Sequence, residues 1–323
     1  MTQAVSAASS GRSLSVDALR LCLAVMVVFL HCNPASDISP LLSFVTGNGL
    51  YRVAVPALFM LSGYFFYPSV QAGRAMGYVR RIGLLYGLWM LLYLPLWYGA
   101  LRIEAPVRGL LLLTFGWWHL WYLASLACCA LLTVWLRNRP TRQLLGVAVV
   151  LFGVGVALMY AMLMRWLVPD GIFPGPGTWL NRNGLFLGLP FFLAGFVVRR
   201  EGWERRLPAP LLWVAALVGL ALLIIEAWGI RSFAPRLLGL DTPLSMGIAA
   251  PAVVMLALRG TLPARSRLLG TLASGTFFMH VAVLVPLMKY TSLSRTAIAL
   301  VTLAATCLIS FLLYRTKLDR YIM

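Results

Sequence analysis

Charge is what this chain has least of. Only 11% of its 323 residues are Asp, Glu, Lys or Arg, the acids number nine, and there are three histidines. So few charges cannot keep the surface of a soluble domain of this length wet, and that class is excluded. Five cysteines, at positions 22, 32, 128, 129 and 307, lie mostly inside apolar stretches and show neither disulfide nor metal-ligand spacing. They read as small core residues, and no metal site is expected. What the chain has instead is apolar length: 61% hydrophobic residues and a mean hydropathy of +0.87. That is an all-α polytopic membrane protein, with no stretch left over for a soluble domain of useful size.

The 27 basic residues give a net charge of +18 but do not suggest nucleic acid. They form short clusters between apolar spans and not one stripe along a face. After a polar tail at residues 1–13, the first apolar stretch lacks a small-residue cleavage site and is followed by many more, so it reads as a retained span and not a signal peptide. Ten spans are expected, near 14–31, 50–68, 82–101, 118–136, 143–164, 183–198, 210–229, 240–258, 267–288 and 296–314, in one domain covering 14–323. Pro243 and Pro251 blur the start of the eighth. Cations gather in every second connection: Arg74, Arg80 and Arg81; then Arg137, Arg139 and Arg142; then Arg199, Arg200, Arg205 and Arg206; then Arg259, Arg265 and Arg267; and finally Arg315, Lys317 and Arg320. The positive-inside rule therefore predicts that both termini are cytoplasmic.

Within that topology the first span carries the chemistry. Arg20 and His31 are separated by ten residues. At about 100° and about 1.5 Å per residue they share a helix face and lie about 16 Å apart along the axis. Ionisable groups inside a bilayer face a cavity or a partner. The pair therefore predicts a channel with a cation near its cytoplasmic mouth and an imidazole near its outer end. His119 and His280 fall in the same outer half, as do Arg52 and Arg182. Arg80 and Arg81 cluster with Arg20 at the cytoplasmic mouth. Glu226, within an apolar run near the outer end of its span, is expected to face the interior and pair with a histidine or arginine, most usefully with a histidine that it orients. Plainer readings stand beside these. Asp17 and Arg20 neutralise each other one turn apart; His119 belongs to an aromatic belt with Trp117, Trp118, Trp121 and Tyr122; Arg80 and Arg81 anchor a loop; Glu226 sits among headgroups.

The ordered set of these residues resembles the acyltransferase-3 family of bacterial membrane acyltransferases. The likeness begins with Asp17-Ala-Leu-Arg20, ten residues, then His31. It continues through Arg52-Val-Ala-Val-Pro56-Ala-Leu-Phe59-Met-Leu-Ser62-Gly63-Tyr64, the Arg80–Arg81 pair, and His119-Leu-Trp121-Tyr122-Leu123. Arg182-Asn183-Gly-Leu-Phe186, Pro190-Phe-Phe-Leu-Ala-Gly195 and Ser274-Gly-Thr-Phe-Phe-Met-His280 complete it. Two positions depart from the family pattern: Leu84 stands where many relatives carry a basic residue, and Phe277 where a Tyr is common.

The resemblance implies a multi-pass protein of the bacterial inner membrane that moves an acyl group from cytoplasmic acyl-coenzyme A to a hydroxyl of a surface or lipid-linked glycan. Acetyl is the default group and succinyl the alternative. It implies donor binding by Arg20, Arg80 and Arg81, and His31 as base; Glu226 is the expected catalytic helper by its place in an apolar span and not by the family pattern. Arg52, His119, Trp121, Tyr122, Arg182, Asn183 and His280 are implied at the acceptor site. Transfer is direct or passes through a covalent acyl-enzyme on His31 or Ser62. The expected partners are the glycan, membrane lipids and separate envelope glycan-assembly proteins, with no nucleic acid. Two other classes use the same features: a flippase or transporter for a polysaccharide or lipid-linked sugar, and a structural subunit of an envelope assembly. A transferase needs a site for acyl-coenzyme A; a transporter does not.

Overall fold

The computed structural model describes residues 12–100, 106–167, 180–233 and 240–323. Most of the expected N-terminal tail, residues 1–11, lies outside the described residues, as does the last residue of the expected span 82–101. Among the described residues the regular elements are helical, with one isolated bridge between Ser13 and Pro263. In order, α1 (Leu14–Cys32), α2 (Pro40–Asn48), α3 (Ala54–Gln71), α4 (Ala75–Leu92) and the short α5 (Leu94–Trp97) come first. Then follow α6 (Pro106–Phe115), α7 (Trp121–Leu136), α8 (Thr141–Leu163), α9 (Leu189–Glu201) and α10 (Trp203–Arg206). The chain finishes with α11 (Ala209–Phe233), α12 (Met246–Leu258), α13 (Leu268–Tyr290), α14 (Arg295–Thr316) and α15 (Asp319–Ile322).

Among the described residues seven helical stretches are long and apolar enough to cross a bilayer: Leu14–Cys32, Pro40–Gln71, Trp118–Leu136, Thr141–Leu163, Ala209–Ser232, Leu268–Tyr290 and Arg295–Thr316. Their outward faces are apolar along their length, as at Val149 and Val150 on α8, Leu217, Val218 and Ile225 on α11, and Leu308 and Leu312 on α14. Such faces are tolerable only against lipid tails. This is a membrane protein. The other three expected spans take a different form. α4 carries Arg80 and Arg81 and ends at Leu92, ahead of Pro95. The stretch 183–198 is a five-residue π-helix, Gly184–Gly188, running into α9. α12 has 13 residues with Pro251 inside it.

Burial accounts for the two short inner helices. From Leu189 to Val198 nearly every α9 side chain is buried, Phe192, Leu193 and Val197 completely. A helix enclosed by protein satisfies its ends locally and need not match the bilayer thickness. Its closest neighbour is α3, and glycine sets the distance. A Cβ on Gly63 would lie 1.9 Å from the Phe192 carbonyl oxygen, and a Cβ on Gly195 would lie 1.9 Å from that of Met60. Each helix thus offers the other a glycine, and the backbones touch. Phe66 packs on Phe192 and Tyr67 on Phe196 to either side of the crossing.

Two helix ends tie α1 to α14. α1 stops at Asn33, whose left-handed backbone (φ 53°) returns its N–H to the Phe29 carbonyl before Pro34. In the turn that follows, Asp37 accepts the first free amides of α14, from Arg295 at 3.2 Å and Thr296 at 2.6 Å.

Candidate active site

The cationic end of the site is a cavity of ≈ 1630 Å³ at the ends of α1, α3, α4, α9, α13 and α15. Arg12, Arg20, Arg81, Arg199, Arg205, Arg259, Arg267 and Arg320 line it, against the carboxylates of Asp17, Glu204 and Asp319. All three acids are engaged. Asp17 pairs with Arg12 at 2.7 Å, Asp319 accepts from Thr271 at 3.0 Å and lies 3.5 Å from Arg267, and Glu204 accepts the Tyr64 hydroxyl at 2.9 Å. Tyr64 in turn accepts from Arg199. Arg20 has no carboxylate within ion-pair distance among the described residues; it faces the cavity with its guanidinium over the Phe65 ring, 5.0 Å from the centroid. The expectation that Asp17 would neutralise Arg20 is thereby corrected, because Arg12 reaches the carboxylate first. Arg81 lines the cavity and donates to the Met323 carbonyl at 3.3 Å, whereas Arg80 is exposed and does not line it.

Beyond a thin wall lies a second, smaller space of ≈ 40 Å³, lined by His31, His119, Trp121, Arg52, Arg182 and Asp241 among others. Tyr122 and Phe277 line both spaces, their rings edge to face at 5.2 Å, and so form the wall between them. Ser62, on the cationic side, lies 3.1 Å from the Tyr122 hydroxyl. The face that places Arg20 in the large cavity places His31, eleven residues on, in the small one.

All three histidines meet here. His280 sits 5.1 Å from His31 and 4.7 Å from His119, centroid to centroid, and Trp118 stacks on His31 at 5.6 Å. Backbone carbonyls fix two of the tautomers. Nδ1 of His31 lies 2.7 Å from the Val27 carbonyl, and Nδ1 of His280 lies 2.7 Å from that of Phe277. A carbonyl only accepts, so each Nδ1 carries the proton and each Nε2 presents a lone pair. The Nε2 of His280 and both ring nitrogens of His119 are buried without a hydrogen bond among the described residues. The Phe278 carbonyl near His119 already accepts the Tyr93 hydroxyl at 2.6 Å.

On the far side of the small space is an ion cluster that the sequence reading passed over. Arg52 donates to Asp241, and also to the Gly47 carbonyl at 2.8 Å and Asn48 at 3.4 Å. Arg182 lies 3.8 Å from the other Asp241 oxygen, with its guanidinium over Trp121. Asp241 stands in the Leu240–Pro243 break, where a membrane span was expected to begin. In a chain with nine acids, a lone Asp at the edge of a span was the available signal. Glu204, buried inside a cationic loop, carried none.

Two expected site residues turn out to shape helices. Among the described residues Glu226 does not pair with a histidine or arginine. Its carboxylate accepts the Tyr160 hydroxyl at 2.8 Å, the amides of Leu244 at 2.7 Å and Ser245 at 2.9 Å, and the Ser245 hydroxyl. It closes the start of α12 and lines neither cavity, because those amides lie nearer than any imidazole. Asn183 caps the π-helix, taking the amides of Leu185 and Phe186 at 2.9 Å each.

A family model described as an acyltransferase domain matches residues 13–315. Among curated proteins, an amino-acid racemase of Enterococcus faecalis is 32% identical over 206 residues, which is 58% of this chain and 29% of that protein. A serine/alanine racemase of Enterococcus gallinarum is 28% identical over 242 residues, 69% of this chain and 34% of that protein. The chain thus spans about a third of the length of the curated relatives it matches. No solved structure matches it.

Proposed function

The chain belongs to the acyltransferase family whose domain model it matches, and from that premise we propose that it is a bacterial inner-membrane O-acyltransferase. In this reading the donor is acyl-coenzyme A, acetyl by default, and the acceptor is a hydroxyl of a surface or lipid-linked glycan. The chain crosses the bilayer ten times, α4, α9 and α12 included, with both termini and the cationic cavity on the cytoplasmic side. Separate envelope proteins supply or receive the glycan. The racemase activity named for the two relatives is not part of the reading, since both are distant and the match covers only 29% and 34% of their lengths.

The observation that carries the proposal is the polarity of the double cavity. A large space walled by arginines suits a donor whose nucleotide end bears several phosphates, because guanidinium is a permanent cation with a bidentate fork. The thin pantetheine arm passes the wall of Tyr122 and Phe277, and its thioester arrives beside His31. There the Nε2 lone pair takes the proton of the attacking hydroxyl and returns it to the departing thiolate. The exposed aromatic ring of Trp118, stacked beside His31, suits a sugar ring. Mass spectrometry of surface glycan from cells with and without the gene tests the reading. A missing acyl mass supports it; an unchanged glycan, or purified protein that does not bind acyl-coenzyme A, favours a transporter.

A further inference from the structure

We propose that Arg182 stabilises the negative charge that develops on the acyl carbonyl oxygen, and that Asp241 is the residue that positions it; this rests on the acyl-transfer reading above. The two arginines that meet Asp241 are not equivalent. The Arg52 side chain is 11% exposed and spends its donors on Asp241, Gly47 and Asn48. The Arg182 side chain is 32% exposed, and its 3.8 Å approach to Asp241 is an ion pair too long for a hydrogen bond. Its other contact is the Trp121 face, 5.7 Å from the ring centroid. Its N–H groups therefore have no hydrogen-bond acceptor among the described residues, while stacking and charge pairing hold the plane in place.

Position points the same way. Arg182 shares the ≈ 40 Å³ space with His31, Arg52 and Asp241. A water needs roughly 10–15 Å³ of such space, so this volume holds a carbonyl with a small alkyl group and not a sugar ring. The reacting acyl group fits there and the bulk of the acceptor does not. Charge then selects what Arg182 binds. A permanent anion would lie against the Asp241 carboxylate, whose Oδ2 is buried without a hydrogen bond. A charge that forms only during the reaction pays that repulsion briefly and gains from a donor fixed in advance.

The step balances without further reagents. The acceptor oxygen bonds to the thioester carbon while its proton passes to Nε2 of His31. The carbonyl π pair moves onto oxygen, where Arg182 donates to it. The oxyanion collapses, the carbon–sulfur bond breaks, and the thiolate takes the proton from His31.

The test uses the full-length protein in detergent, with acetyl-coenzyme A as donor and deacylated surface glycan from cells lacking the gene as acceptor. Arg182→Ala is expected to lower kcat by about 100- to 1000-fold with both KM values nearly unchanged, and added guanidinium ion to restore part of the rate. Asp241→Asn is expected to lower kcat about tenfold at constant KM, with partial recovery in Asp241→Glu. If Arg182→Ala does not fold, Arg182→Lys carries the test: a kcat loss of about tenfold or more supports the assignment, and a normal rate overturns it. A raised acceptor KM with kcat intact also overturns it, and makes Arg182 the site of an anionic acceptor. Wild-type protein that transfers no acyl group removes the proposed function itself, whereas wild-type activity with unimpaired variants removes only this inference.

Discussion

Arg12 holds the Asp17 carboxylate, 2.7 Å from Nε to Oδ2, although Arg20 lies one turn beyond Asp17 on the same helix. The consequence is electrostatic. Arg20 keeps its full charge for whatever enters the large cavity, and the geometry of α1 delivers that charge and the His31 imidazole to opposite sides of one wall.

Arg20→Ala is therefore expected to weaken acyl-coenzyme A binding by tenfold or more. A lost charge-assisted contact to phosphate costs on the order of 1.5–3 kcal/mol. Titration of the donor into the protein in nanodiscs checks this; unchanged affinity would remove Arg20 from the donor site.

His31→Ala is expected to abolish transfer while leaving donor affinity within a fewfold of normal. Nδ1 is committed to the Val27 carbonyl, so the base is Nε2. Near-normal turnover by folded His31→Ala protein would show that another group takes the proton.

Glu226→Gln is expected to act on stability and not on chemistry. It weakens the hydrogen bonds to Leu244, Ser245 and Tyr160 that close the start of α12, an effect of about 0.5–2 kcal/mol for a helix cap. Thermal unfolding in detergent should shift downward while turnover per folded molecule stays close to wild type. A large kcat loss at normal stability would return Glu226 to the catalytic residues.

Gly195→Val is expected to prevent assembly of the bundle. Its Cβ would meet the Met60 carbonyl at 1.9 Å, which is backbone that cannot rotate away. Size-exclusion profiles of solubilised Gly195→Val should show aggregated or missing protein, and a monodisperse peak with normal yield would contradict the crossing geometry.

Asp37 gives a pH dependence outside the membrane. The Thr296 amide first, with the Thr296 and Ser294 hydroxyls and the Arg295 amide, holds its carboxyl below the usual carboxylate range. A depressed folded value means that the tie between α1 and α14 contributes stability above the unfolded value, and loses it as pH falls through the folded one. Melting curves of wild type and Asp37→Asn should differ at neutral pH and converge below about pH 4. A difference that persists in acid would mean that the charge is not what holds the tie.

The helical class and the seven long apolar stretches were legible because hydropathy over twenty residues is a local property. So was the shared face of Arg20 and His31, which follows from helix geometry alone. The meeting of His31, His119 and His280 was legible only as a common depth, since which helices touch depends on long-range packing. The expected pairing of Glu226 with a histidine or arginine was misread because an acid near a span end serves equally well as a cap, and the amides it caps come 18 and 19 residues later in the sequence. Asp241 was passed over because the two prolines nearby blurred where α12 begins. Length also differs from expectation at α9, which is short where protein buries nearly every side chain from Leu189 to Val198.

The reciprocal glycines of α3 and α9 have a mechanical consequence. With backbone against backbone at Gly63 and Gly195, these two helices form a stiff beam that cannot slide without breaking the contact at both points. Ser62 rides on that beam, one residue from the lock. Tyr122 and Phe277 belong to α7 and α13 and are not fastened to it in this way. The wall between the two cavities therefore has one flank fixed by backbone contact and the other made of two side chains, with the Tyr122 hydroxyl 3.1 Å from Ser62 on the fixed flank.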